Sequence, residues 1–349
     1  MTPASPQQPL ARRAASGARA VARRITGSAP GTKPPAGAAP EGRAAGLDDW
    51  LKPLFGDRLD RIEAALEGAG TEGYSEFRDL DDDLWSLLLT LEYEGWPGIR
   101  SFLPDLPDPA RQRMWNGVSG PALAAQSVCF YRKLKEMHVT HGEVPLNRAR
   151  TLDFGCGWGR LTRMLAKDLD PGLLYGCDPV EEILDVSRLN GVPAKLGRSD
   201  FLPQSLPFDN PDGFDLVFAF SVFTHISEAA HQASIEAIHD GLKPGGLLVL
   251  TVRPPAYIDF NSLMEPAARR LGPDRLRRLA EEPLYVFEPH PTEDHPQFDD
   301  AAEDPMSYGE TVITMPYVRD KWTSMFDLLD TSVLTGDMYQ VALTLRKRS

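Results

Sequence analysis

Apolar residues recur at helical spacing in the first part of the chain and in short unbroken runs after residue 150. Asp48 and Asp49 precede Trp50, Leu51, Leu54, Phe55, Leu59, Ile62 and Leu66, which predicts a helix or helix pair. Leu84, Leu87, Leu88 and Leu91 predict a second helix over 81–93, with acids in its first turn, where the helix dipole favours them. Pro97, Pro104, Pro107 and Pro109 break the pattern into turns, and Ser119-Gly120-Pro121 opens a further helix to about Met137. Residues 47–145 therefore read as a helical segment with no strand of note.

From Arg150 the texture changes. Strand-like runs at 151–154, 173–177, 194–196, 216–220 and 247–252 alternate with helical ones at 160–168, 181–189 and 227–242. Apolar strands joined by crossover helices predict a parallel sheet covered on both faces. Residues 254–309 are rich in Pro, Asp, Glu and His and read as an irregular insertion with a basic helix near 274–279. The last segment, 310–349, reads as a strand-like run 311–315, a helix 317–325 and two strands, 326–334 and 339–345. Thr335-Gly336-Asp337 between those strands implies a terminal antiparallel hairpin.

Composition narrows the class. The 349 residues carry a net charge of −13, which disfavours a chain-wide grip on nucleic acid. Residues 1–46 run the other way, with seven basic residues against Glu41 alone, in an Ala/Pro/Gly/Ser-dominated segment. That composition predicts a disordered basic tail. An arginine-rich transit peptide with a basic helix over 10–25 is the alternative, and the lack of an apolar core region disfavours a secretory signal. No apolar run approaches the roughly 18 residues of a membrane span. Cys129, Cys156 and Cys177 include no CxxC pair, so neither a disulfide framework nor a zinc site is expected. A cytoplasmic protein is expected, and nothing in the pattern specifies its oligomeric state.

The candidate chemistry begins at Thr151-Leu-Asp-Phe-Gly-Cys-Gly-Trp-Gly-Arg160, where a strand ends, glycines stand at 155, 157 and 159, and a helix follows. Glycines let the backbone approach a ligand closely, and the helix start offers unpaired N–H groups. A dinucleotide fingerprint places its third glycine where Arg160 stands, which argues against a nicotinamide enzyme. Asp178 ends the next strand, where a carboxylate can accept from both hydroxyls of a ribose. Asp200 follows the third strand and could accept from an exocyclic amine, with Phe201 or Leu202 covering the ring. Loop, acid and acid at successive strand ends are a nucleoside-binding combination.

With the runs Phe214-Asp-Leu-Val-Phe-Ala-Phe-Ser-Val-Phe-Thr-His-Ile226 and Leu242-Lys-Pro-Gly-Gly-Leu-Leu-Val-Leu-Thr251, these residues resemble the class I S-adenosylmethionine-dependent methyltransferase family, small-molecule type, over about residues 150–253. The resemblance implies a Rossmann-like, doubly wound α/β fold with a seven-stranded, mostly parallel sheet, its cofactor-binding core at 146–253. It implies S-adenosylmethionine as cofactor, needing no metal, and methyl transfer to oxygen or nitrogen of a small acceptor such as a sugar, natural product or lipid precursor. Segments 47–145 and 254–309 would be the acceptor's cover and lid. A protein or peptide methyltransferase, or a non-catalytic cofactor-binding partner subunit, are the alternatives.

Carried over by position, the resemblance implies that Asp153 and the backbone of Gly155 and Gly157 hold the methionine end, with Cys156 and Gly159 as further cofactor-binding residues of the loop. Asp178 would take the ribose hydroxyls, Asp200 and the Phe201 amide the adenine, and the backbone at Phe220 and Ser221 the methionine amino group. His225 lies just past the fourth strand, where a hydroxyl acceptor would need a base; the alternative is a histidine that satisfies backbone groups at the start of the next helix. His290, Glu293, Asp294 and His295 form a His/acid cluster that is either a metal site or a solvated loop. Trp115, Phe130, Tyr131 and Tyr308 are read as core packing, and Arg160 as a surface arginine or a partner for an anionic group on cofactor or acceptor.

Overall fold

The computed structural model describes residues 47–290 and 308–348. The basic segment 1–46 and Glu293, Asp294 and His295 lie outside the described residues. Strands β1 (Thr151–Phe154), β2 (Leu174–Asp178), β3 (Lys195–Arg198), β4 (Phe214–Ala219) and β5 (Leu242–Val252) pair in parallel in the order 3-2-1-4-5. A separate small sheet pairs β6 (Tyr285–Pro289) with β7 (Gly309–Ile313). Strands β8 (Phe326–Leu334) and β9 (Asp337–Lys347) form the terminal hairpin, and β9 runs antiparallel against β5 to complete a seven-stranded sheet. The sheet order reverses between β1 and β4, which opens a crevice at the carboxyl ends of those strands.

Period-two alternation sorts the sheet's side chains onto two faces. Leu216, Phe218, Leu247 and Val249 meet the N-terminal helical segment, whereas Leu152, Val217, Leu248 and Leu250 meet helices α8 (Glu228–Gly241) and α11 (Met315–Trp322). The N-terminal segment comprises α1 (Leu47–Ala65), α2 (Asp82–Thr90), α3 (Pro97–Phe102), α4 (Pro109–Asn116) and α5 (Pro121–His141). Asp81 caps α2 by accepting from the N–H groups of Asp83 and Leu84. Gly120 precedes Pro121 at φ +60°, so a glycine and a proline together set where α5 begins.

Two elements differ from expectation. The helix after the glycine loop is regular only over α6 (Thr162–Leu165). Met164, Ala166 and Asp168 donate to carbonyls three residues back, so the segment is wound tightly around its ends. The region expected to be irregular from 254 carries α9 (Tyr257–Phe260), α10 (Glu265–Arg277), kinked at Gly272-Pro273, and β6. Tyr257, Ile258, Met264, Ala267, Leu279, Val286 and Val312 give it a small core of its own. Helix α7 (Glu181–Leu189) lies between β2 and β3 as expected.

Candidate active site

Strand β1 delivers the chain to Gly155, whose φ of +74° a side chain would strain. A Cβ on Gly155 would stand 2.3 Å from Val222 Cγ2, and one on Gly159 2.7 Å from Val192 Cγ2. The first glycine lets the loop pass the chain beyond β4; the second lets it close on the turn after α7. The N–H groups of Gly155 and Cys156 donate to the Cys177 carbonyl at 2.8 and 2.9 Å, tying the loop to the end of β2.

Asp178 ends β2 with its carboxylate buried. Its two oxygens accept from Gly157 N–H and Val180 N–H, at 3.0 Å each. Burial pushes this carboxyl up to about 6, against the pull of those two donors. Each oxygen keeps a further acceptor direction for a ligand hydroxyl. Asp153, also buried, accepts from the Thr162 hydroxyl at 2.6 Å, and burial pushes it up to about 7.

Ser221, past the end of β4, has φ +62° and is the one non-glycine in the left-handed region among the described residues. Such a conformation costs on the order of 1–3 kcal/mol and persists only where its surroundings hold it. Thr251 Oγ1 accepts from Ser221 N–H at 2.8 Å, and Gln340 Nε2 donates to Ser221 Oγ at 2.8 Å.

These groups face one cavity of about 510 Å3 at the reversal of the sheet order. Of the expected site residues, Asp153, Gly155, Cys156, Gly157, Asp178, Phe201, Phe220, Ser221 and His225 line it. Gly159 lies behind the loop, and Asp200 is exposed outside the cavity, so Phe201 alone represents that pair. Burial pushes the thiols of Cys156 and Cys177 up, so both sit as small apolar groups.

His225 is held at both ring nitrogens. Its Nδ1 lies 2.8 Å from the Gly309 carbonyl, which can only accept, so the proton sits on Nδ1. Nε2 then accepts from Arg253 Nη2 at 3.0 Å, and the ring stacks on Tyr308 with centroids 4.9 Å apart. A general base needs its lone pair turned to the acceptor; here a guanidinium takes it. In this arrangement the ring orients Arg253.

Sequence reading missed Gln126, Arg253, Glu310, Asp337 and Gln340, all of which line the cavity. Buried Glu310 pairs with Arg253 and joins Tyr257 OH and His290 Nε2 at 2.9 Å each. His290 thus belongs to this network; the rest of its cluster, Glu293, Asp294 and His295, lies outside the described residues, and among the described residues no group of three or more His, Cys, Asp or Glu could hold a metal. Trp115 and Tyr308 line the cavity, whereas Phe130 and Tyr131 are core. The local signal for Arg253, Glu310 and Asp337 was a polar side chain at the end of a strand, whereas Gln126 lies within α5 and gave none.

A nucleotide-type crevice with an acid at the tip of β2 and a glycine loop from β1 defines a nucleoside-binding α/β domain. Residues 151–246 match the family described as methyltransferase domain. The chain is 30% identical over 133 residues to a trans-aconitate 2-methyltransferase of Rhizobium rhizogenes, covering 38% of this chain and 49% of that one. It is 32% identical over 111 residues to a ubiquinone biosynthesis O-methyltransferase of Xylella fastidiosa, covering 31% of this chain and 43% of that one. It therefore spans about half or less of the length of these curated relatives. Among solved structures, an S-adenosylmethionine-dependent methyltransferase from Mesorhizobium loti aligns over 63% of this chain and 98% of its own, with 16% identity and a TM-score of 0.41. No helix among the described residues is long and apolar enough to cross a membrane.

Proposed function

We propose that this chain transfers a methyl group from S-adenosylmethionine to oxygen or nitrogen of a small-molecule acceptor. The observation that carries the reading is the Asp178 carboxylate, fixed by two backbone N–H groups beside the glycine loop in one cavity. The residues fit the cofactor: Gly155 and Gly157 present bare backbone to the cavity, and Asp153 and Asp178 suit a ligand with a net positive charge. The cofactor, when bound, supplies a methyl group already activated on sulfur. What remains for the protein is to align the acceptor and exclude water. Asp178 would hold the ribose hydroxyls, Phe201 the adenine edge, and the backbone at Gly155, Gly157, Phe220 and Ser221 the methionine end.

Trp115, His225, Tyr308 and Arg253 supply the acceptor's walls, from α4, the end of β4, the lead into β7 and the end of β5. Arg253 is already paired with Glu310, and Arg160 and Arg253 are the lysine or arginine side chains among the described lining residues. Among the described residues that leaves Arg160, bonded to the Gln126 amide, as the lining cation without a carboxylate partner, and any carboxylate held in the cavity would need it. The related enzymes named for trans-aconitate and for ubiquinone biosynthesis support the small-molecule class. The test is incubation with methyl-labelled S-adenosylmethionine and a metabolite extract. Label in a small organic product is expected; label in protein alone would overturn the acceptor class.

A further inference from the structure

Elements outside the matched domain, α5 and β9, also line the cavity and meet Arg160 there. Arg160 follows the glycine loop, with its guanidinium 5.0 Å from the Phe220 ring centroid. Its Nη1 donates to Gln126 Oε1 on α5 at 2.7 Å, and Gln126 Nε2 donates to Asp337 Oδ2 at 3.1 Å. Asp337 opens β9, and Gln340 reaches the same cavity three residues on. The hairpin turn is fixed to α5, since Gly336 N–H donates to Cys129 Sγ at 3.3 Å and a Cβ on Gly336 would stand 2.9 Å from Cys129 Cβ.

A cation and an anion thus face one cavity without pairing with each other. The amide of Gln126 stands between them, satisfying one group on each side. Two such charges would ordinarily close into an ion pair, because leaving either partly desolvated is costly. Holding them apart suits a ligand end that carries both signs on adjacent atoms. Gln340 adds a second sign of preparation. It is 4% exposed, its Nε2 donates to Ser221 Oγ, and its Oε1 has no hydrogen-bond partner among the described residues.

We infer that Arg160, Gln126, Asp337 and Gln340 form a clamp for the amino-acid head group of the cofactor, Arg160 facing its carboxylate and Asp337 its ammonium. This rests on the proposed use of S-adenosylmethionine. It assigns the terminal hairpin a binding role in addition to completing the sheet. The neutral amides fix the spacing of the two charges, and Asp153 lies below them at the loop.

Two ligands separate the clamp from the adenosyl pocket. S-Adenosylhomocysteine carries the head group on a neutral sulfide; 5′-methylthioadenosine has the same adenosyl sulfide without it. Titration calorimetry on the full chain is expected to show a preference for S-adenosylhomocysteine. Arg160→Gln and Asp337→Asn should each weaken S-adenosylhomocysteine by about tenfold or more and methylthioadenosine by less than about threefold, the loss of one charged hydrogen bond. Arg160→Lys should recover part of the loss. Retained methylthioadenosine binding also shows that each variant is folded. Equal losses for both ligands, no loss for either, or a parent chain that does not discriminate would overturn the clamp. A parent chain that binds neither ligand would overturn the proposed cofactor as well.

Discussion

Replacing Asp178 by alanine removes the carboxylate on which the ribose assignment stands. In the structure its oxygens accept from Gly157 and Val180 N–H at 3.0 Å, and the same oxygens would accept from two ribose hydroxyls. A hydrogen bond to a charged group is worth about 1.5–3 kcal/mol, and about 1.4 kcal/mol is tenfold in affinity. Because neighbouring bonds do not add, the expected loss for S-adenosylhomocysteine is at least about tenfold. The folded state also loses a partner for two N–H groups, at about 1–3 kcal/mol each, so circular dichroism must accompany the calorimetry. The parent chain carries a second signature. Burial raises this carboxyl to about 6, and the binding form is the ionised one, so affinity should fall as pH drops from 8 through about 6. Stability moves the other way: the native state holds this proton more tightly than the unfolded chain. Above about 6 the buried charge costs on the order of 3 kcal/mol, which protonation relieves on acidification towards 4. Both steps should shrink in Asp178→Ala, leaving the part due to Asp153, which burial pushes up to about 7. Affinity within about twofold of the parent in a folded variant, or a parent affinity flat between pH 8 and 5, would refute the assignment.

His225→Ala should lower turnover while leaving cofactor affinity unchanged and the shape of the pH–rate profile intact; loss of an ionisation near neutrality would restore a base role. Gly155→Ala forces a Cβ to 2.3 Å from Val222 at φ +74°, so it should cost about 1–3 kcal/mol in thermal unfolding and weaken cofactor binding. His231 is wholly buried among Phe223, Tyr285, Tyr317 and Trp322, with neither ring nitrogen bonded, and burial pushes it down to about 3. The unfolded chain takes up that proton below about 6.5 and the native state does not, so stability is lost as pH falls from there towards 3. His231→Phe should raise the unfolding temperature, by about 1–3 kcal/mol in stability, and flatten that acid loss; an unchanged or lower value would contradict it.

The strands β1, β2, β4 and β5 and the loop between β1 and α6 were legible because each is a local signal: an unbroken apolar run, or glycines at a strand's end. The terminal hairpin was legible for the same reason, through Thr335-Gly336-Asp337. Strand β6 was not, because Tyr285–Pro289 is stabilised by pairing with β7 across a gap in sequence, and its charged surroundings hide the few apolar residues that matter. The site divides along the same line. Asp153 and Asp178 announce themselves at strand ends, whereas Gln126, Asp337 and Gln340 reach the cavity only because α5 and β9 pack there. His225 was found by position, but its role depends on Arg253 and Gly309, partners that no local window contains. The exposure of Asp200 likewise follows from how the turn after β3 settles.

Arg163 and Lys167, each 1% exposed, lie in and just beyond α6. Arg163 donates to the Asp105 carbonyl at 2.8 Å, and Lys167 reaches the Leu80 carbonyl at 3.2 Å and pairs with Asp82 at 3.0 Å. Every one of those partners comes from the helical half. A recombinant fragment trimmed to the matched domain would take from Arg163 its bond to Asp105 and from Lys167 its bonds to Leu80 and Asp82, and strip the cover from Phe218. The minimal folding piece of this protein therefore begins far upstream of its family signature, and the ancestry of the core is no guide to where the chain can be cut.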